Sequence, residues 1–158
     1  MNDPFEQLTR SHRRLEEALS ALSEAARGDR LDEATARDVA DFLSRQVRRH
    51  EADEEESLFP RLEPIEELTA IIGQLRAEHA AHEALHERLE RALSASELNE
   101  VRRVAAALED AYRTHIDVEE AVLFPTARRA LKEGDLAAIV DEMQARRGRS
   151  GGRRHDRG

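Results

Sequence analysis

A chain of 158 residues, 37% charged and only 3% aromatic, has room for one domain with a sizeable core. It contains no cysteine, which excludes disulfides, thiolate ligands and iron–sulfur clusters. A net charge of −9 makes a poor surface for duplex DNA, no apolar run approaches the roughly 18 residues of a membrane span, and the opening MNDPFEQ does not read as a signal peptide.

Helix formers dominate, so the expected class is all-α and the expected location cytoplasmic. Asp3-Pro4 opens a first helix, a capping residue followed by proline at the first helical position. Phe5, Leu8, His12, Leu15, Leu19 and Leu22 then recur at three- and four-residue steps, and Gly28-Asp29 ends the run. A second pattern spans about Asp32 to Leu58 through Val39, Phe42, Leu43, Gln46, Val47 and His50, and Phe59-Pro60 is expected to stop it. A third helix is expected from about Ile65 to Leu93, with the stripe Ile72, Leu75, His79, His82, His86, Leu89, Leu93. Ser94 and Glu97 suggest a capping box for a fourth, which carries Leu98, Val101, Ala105, Leu108, Tyr112 and His115 and should stop near Pro125. A short fifth helix, about Asp135 to Arg146, places Leu136, Ile139, Val140 and Met143 on one side.

The expected architecture is an antiparallel up-down four-helix bundle with a short additional C-terminal helix, occupying residues 1–147. The last thirteen residues hold six Arg and one Asp, a net +5 that leaves −14 of the total −9 on the preceding body. Residues 148–158, rich in Arg and Gly and without apolar side chains, are expected to be a disordered tail.

The chain repeats itself. HEADEEESLFP from His50 matches HIDVEEAVLFP from His115, and QLTRSHRRLEEAL around His12 resembles QLRAEHAAHEALH around His79. Two related hairpins would each supply one histidine from a first helix and a His-x-x-x-Glu pair from a second. Residues four apart share a helix face, so His50 with Glu54, and His115 with Glu119, can each reach one centre. At 1.5 Å per residue the four histidines fall near one end of the bundle. Burying four imidazoles and two carboxylates without compensation is costly. Two divalent cations resolve that cost, and this donor set suits iron, manganese or zinc.

On His12, His50-x-x-x-Glu54, His79, His115-x-x-x-Glu119 and the two Phe-Pro pairs, the chain resembles the hemerythrin-like (HHE cation-binding) family over roughly residues 3 to 145. The resemblance implies two iron ions with an oxo or hydroxo bridge. His12 and His50 would bind one, His79 and His115 the other, and Glu54 and Glu119 would bridge. Dioxygen, peroxide or nitric oxide would approach an open position. Oxygen carriers of the family have a second histidine where this chain has Glu83, and an Asp at plus five where this chain has Glu119 at plus four. That difference points away from reversible oxygen transport and toward sensing, iron handling, or peroxide or nitric oxide chemistry; the alternative is an enzyme of peroxidase-, catalase- or nitric-oxide-reductase-like activity. Glu83, His82 and His86 compete for a further ligand position on the third helix. Glu51 is expected to face solvent, Glu55 and Glu120 to support neighbouring imidazoles, Tyr112 to pack, and Phe59 and Phe124 to plug the metal end. Small ligands are the expected partners; membrane is excluded, nucleic acid is not expected, and no protein partner is indicated.

Overall fold

The computed structural model describes residues 3–155, with side chains described for 3–148. It is an all-α helical bundle. Helix α1, Pro4–Ala25, is capped as expected: the Asp3 side chain accepts from the Phe5 N–H. Helix α2, Glu33–Ala52, is capped by Asp32, which accepts from the Thr35 N–H at 3.2 Å. Further along come α3 (Phe59–Leu62), α4 (Thr69–Ser94), α5 (Leu98–Val118), α6 (Phe124–Ala130) and α7 (Glu133–His155). Helix α1 packs on α2, α2 on α4, α4 on α5 and α5 on α1, while α7 lies against α1 and against Asp53–Leu58, which follows α2. Among the described residues no helix is long and apolar enough to cross a membrane.

Several expected boundaries are corrected. Neither Phe-Pro pair stops a helix. Asp53–Leu58 and Glu119–Leu123 are π-helical turns, and the helix resumes through Phe59–Leu62 and Phe124–Ala130. Proline removes an N–H and crowds the carbonyl four residues back. One wider turn absorbs both effects: the Phe59 N–H reaches the Glu54 carbonyl, and the Phe124 N–H the Glu119 carbonyl, each five residues back. The capping box does not form. Ser94 ends α4, Ser96 makes the turn at φ 52°, and Glu97 caps α5 without a side-chain bond. Phe42 is 39% exposed and lies off the core stripe. Helix α7 begins at Glu133 and runs past Arg146 to His155. The disordered tail expected at 148–158 falls on residues whose side chains, from 149 onward, lie outside the described residues.

The core has two apolar layers with a polar layer between them. One holds Leu15, Leu19, Leu43, Val47, Leu89, Leu108, Tyr112 and Ile116. The other holds Phe5, Leu8, Leu58, Phe59, Ile72, Leu75, Leu123, Phe124, Ile139 and Met143. His12 sits between Leu8 and Leu15, His50 between Val47 and Leu58, His79 between Leu75 and Leu89, and His115 between Tyr112 and Leu123 along their helices. The sequence spacing therefore puts every imidazole at the same level, with hydrocarbon above and below.

Candidate metal centre

Six residues meet in that polar layer. His12, His50, His79 and His115 are at most 5% exposed, and Glu54 and Glu119 are fully buried. Donor atoms of His12, His50 and Glu119 lie within 4.8 Å of one another, and so do those of Glu54, His79 and His115. The carboxylates link the two groups. Glu54 Oε1 is 3.3 Å from both His50 Nε2 and His79 Nε2. Glu119 Oε1 is 3.4 Å from His12 Nε2 and 2.9 Å from His115 Nε2. Each carboxylate thus touches one imidazole of each pair. The π-helical turns begin at or just before these two glutamates, so the wider turn shapes the stretch that brings each one level with its histidine.

The outer nitrogens are all held. His12 Nδ1 meets Glu120 at 2.6 Å, and His79 Nδ1 meets Glu55 at 2.9 Å, the two supports anticipated from the sequence. His115 Nδ1 meets Glu78 at 2.9 Å, and His50 Nδ1 meets the Ser11 hydroxyl at 2.9 Å, itself bonded by Gln46 Nε2. A carboxylate at Nδ1 accepts that proton and leaves the Nε2 lone pair facing inward, ready for a cation. Glu78 and Ser11 were missed by sequence reasoning, although each directly precedes a first-helix histidine in the aligned repeats RAEH and TRSH. The supports cross between hairpins: Glu120 holds His12 and Glu55 holds His79. The aromatic lids cross too. Phe124 stacks on His12 at 5.7 Å, and Phe59 on His79 at 5.9 Å.

The inward atoms are unsatisfied by protein. Among the described residues eight buried side-chain atoms lack a hydrogen-bond partner, and seven of them are Nε2 of His12, His50 and His79 and both oxygens of Glu54 and Glu119. Orphaned buried polar groups cost about 1–3 kcal/mol each, more when charged. This donor set fits metal cations, which would satisfy all seven at once. Burial, together with the neighbouring His50, lowers the His12 pKa to about 4. Burial also works against the Glu54 carboxylate and the His79 imidazolium. It is outweighed at Glu54 by His50 and His79, which hold the carboxyl below the usual range, and at His79 by Glu54, Glu55 and Glu51, which raise the imidazole to about 9.

The remaining candidates lie elsewhere. Glu83 is exposed in a surface groove between α2 and α4 and does not join the six. His82 is buried, its Nδ1 without a partner, its ring 4.3 Å from Tyr112 and edge-on to His115 at 5.0 Å. His86 is half-buried, and its Nε2 meets the Tyr112 hydroxyl at 2.9 Å. Glu51 does not simply face solvent: half-buried, it lines a small cavity beside His50 and His79, and burial lifts its carboxyl to about 7.

The hemerythrin HHE cation binding domain model matches residues 3–127, most of the chain and the whole of the site. This chain belongs to that family. No curated protein matches it. The match ends within α6, so α7 lies outside the matched residues. Within the domain, Glu78→Ala should weaken metal binding by roughly 10- to 100-fold, because His115 loses the carboxylate that orients it and raises its basicity. Competition with a coloured chelator measures this, and unchanged affinity would show the Glu78 contact to be incidental.

Proposed function

We propose that this hemerythrin domain binds two iron ions, one at His12 and His50 and one at His79 and His115, with Glu54 and Glu119 bridging, and uses them to bind or sense dioxygen, nitric oxide or peroxide or to handle iron. The observation that carries the reading is that each buried carboxylate contacts one imidazole from each pair. Manganese or zinc would satisfy the same donors. An antiparallel up-down course for α1, α2, α4 and α5 is supported by their closed ring of packing contacts and their short connections. Iron supplies reversible redox and Lewis-acid chemistry toward small oxidants. The chain's own contribution is orientation and dryness. Glu55, Glu78, Glu120 and Ser11 fix four imidazoles, and two apolar layers with Phe59 and Phe124 keep bulk water out.

Anaerobic reconstitution with ferrous iron, followed by metal counting and optical spectra on adding oxygen and then peroxide, tests the reading. Two irons per chain are expected; one tightly held zinc with no capacity for a second ion would overturn it. A second reading, a diiron enzyme of peroxidase-, catalase- or nitric-oxide-reductase-like activity, is favoured by Tyr112, which lines the cavity at the centre with its hydroxyl bonded to His86. Sustained peroxide or nitric oxide turnover by the reconstituted protein would select it.

The site also implies a pH dependence. His79 is raised to about 9, so the metal-free bundle holds a proton there at pH 7. A cation needs that lone pair and must displace the proton. Binding at pH 7 should release at least one proton, and apparent affinity should fall about tenfold per pH unit as pH drops below 9. Titration in two buffers of different ionisation enthalpy reads the release directly; no proton release would contradict the assignment of His79.

A further inference from the structure

Two open grooves flank the polar layer, and a cavity of about 10 Å³, room for about one water, lies at its heart, bounded in part by His12, His50, His79 and His115. The groove between α1 and α5, about 300 Å³, shares Tyr112 and Ile116 with the cavity. Both are 4% exposed, and this groove sets Arg13 and Arg113 against Glu16, Glu109, Asp117 and Glu120, with Arg13 paired to Glu16 and Glu120. The groove between α2 and α4, about 360 Å³, shares Val47 and Glu51 with the cavity. It carries Glu51, Glu83, Glu87 and Glu90 against the single arginine Arg48.

We infer that the α2/α4 groove is the entrance by which divalent cations reach the centre, with Glu51 passing them from the groove to the imidazoles. The inference rests on the dinuclear reading above. Its warrant is the shared wall. Glu51 is the one residue with a carboxylate that lines both the open groove and the inner cavity, and three imidazoles at that cavity present buried Nε2 atoms without partners. A partly exposed, flexible carboxylate can bind a cation on the outer side and release it inward by a rotamer change, on a timescale of nanoseconds or slower. The opposite groove offers no such group: its shared wall is a buried ring and an isoleucine. Its Glu120 is already held by Arg13 and His12. The α2/α4 groove is also the more acidic of the two, with four carboxylates against one arginine where the other sets four against two, and an excess of negative charge in a cleft concentrates cations and raises their arrival rate. The acidic face that sequence spacing offered as a ligand position at Glu83 acts here as the approach to the site.

Stopped-flow uptake of cobalt(II) at low ionic strength, with equilibrium cobalt counting beside it, tests this. The charge-removing pair Glu83→Gln with Glu87→Gln should slow uptake roughly three- to tenfold and lose much of the salt dependence, with two cobalt ions still bound at equilibrium. Ser44→Trp, which fills the groove without touching a charge, should slow it in the same direction. Glu16→Gln with Asp117→Asn, in the opposite groove, should leave the rate unchanged. Wild-type rates in both groove variants, with two ions bound, would overturn the entrance and leave the dinuclear reading standing. Loss of an ion at equilibrium in the groove variants would make these residues ligands and overturn it too. Failure of the wild type to bind two cobalt ions would instead remove the dinuclear reading, and the entrance with it.

Discussion

Glu54→Ala and Glu119→Ala should each yield a folded helical protein that does not take up the two metal ions of the proposed centre. Each carboxylate lies against one imidazole of either pair, at 2.9–3.4 Å. In a dinuclear centre its removal would take negative charge from between two cations and strip a donor from both. The loss in affinity should exceed the roughly 10- to 100-fold that removal of an outer support costs. The helices should survive because Glu54 and Glu119 meet imidazoles within the polar layer, away from the helix backbone ladder, and alanine suits a helix interior. In the wild type, metal should raise thermal stability by mass action; in these variants added metal should leave the melting temperature almost unchanged. Glu83→Ala, outside the layer, should keep both ions. Metal counting, circular dichroism and melting curves decide the matter, and two ions retained by either Glu54→Ala or Glu119→Ala would sink the bridging assignment.

Arg146→Ala should be the most damaging change outside the centre. Arg146 on α7 donates to Asp53 at 2.9 Å, to Glu56 at 3.2 Å and to the Ser57 hydroxyl, all in the π-helical turn that carries Glu54. Asp53 is 3% exposed. Burial pushes its carboxyl up, and Arg146 pulls it back. Without the guanidinium a buried carboxylate loses its main counter-charge, a change that costs about 3 kcal/mol and on the order of 10 °C in melting temperature for a chain of this size. The pH dependence has a definite sign. The variant's Asp53 is raised further above its unfolded value, so the folded state takes up a proton more readily than the unfolded one. The defect is full at neutral pH and shrinks as pH falls through that raised value. A melting temperature equal to wild type at pH 7 would show that α7 is a passive cover.

Much of this site was legible because it is periodic. The two His-x-x-x-Glu segments and the two lone histidines stand in register, and all six residues meet. Where the reading failed, the local signal was degenerate. Phe-Pro obeys the same local rules whether a helix stops or widens by one residue, and the distinction comes from tertiary packing, here of Phe59 and Phe124 inside an apolar layer. Glu83 and His82 are both about one turn from His79. Yet Ile72, His79 and His86 recur every seven residues, as do Leu75, His82 and Leu89, and that seam leaves Glu83 on the flank. Glu78 was hidden because a glutamate beside a histidine is unremarkable in a chain with 34 acidic residues. Arg146 was hidden because its partner lies 93 positions away.

The crossing of supports between hairpins bears on ancestry. Neither half of the chain owns a complete set of groups for even one of its histidine pairs, so an isolated hairpin would have to associate with a second copy about a two-fold axis to assemble the layer. The present chain has the form of such a dimer fused end to end. The halves are not identical, and two of their differences fall beside the layer: Ser11 stands opposite Glu78, and Leu15 opposite His82. His50 leans on a hydroxyl where His115 leans on a carboxylate, so two halves of similar sequence surround their histidine pairs differently, and two cations held there would sit in unlike positions.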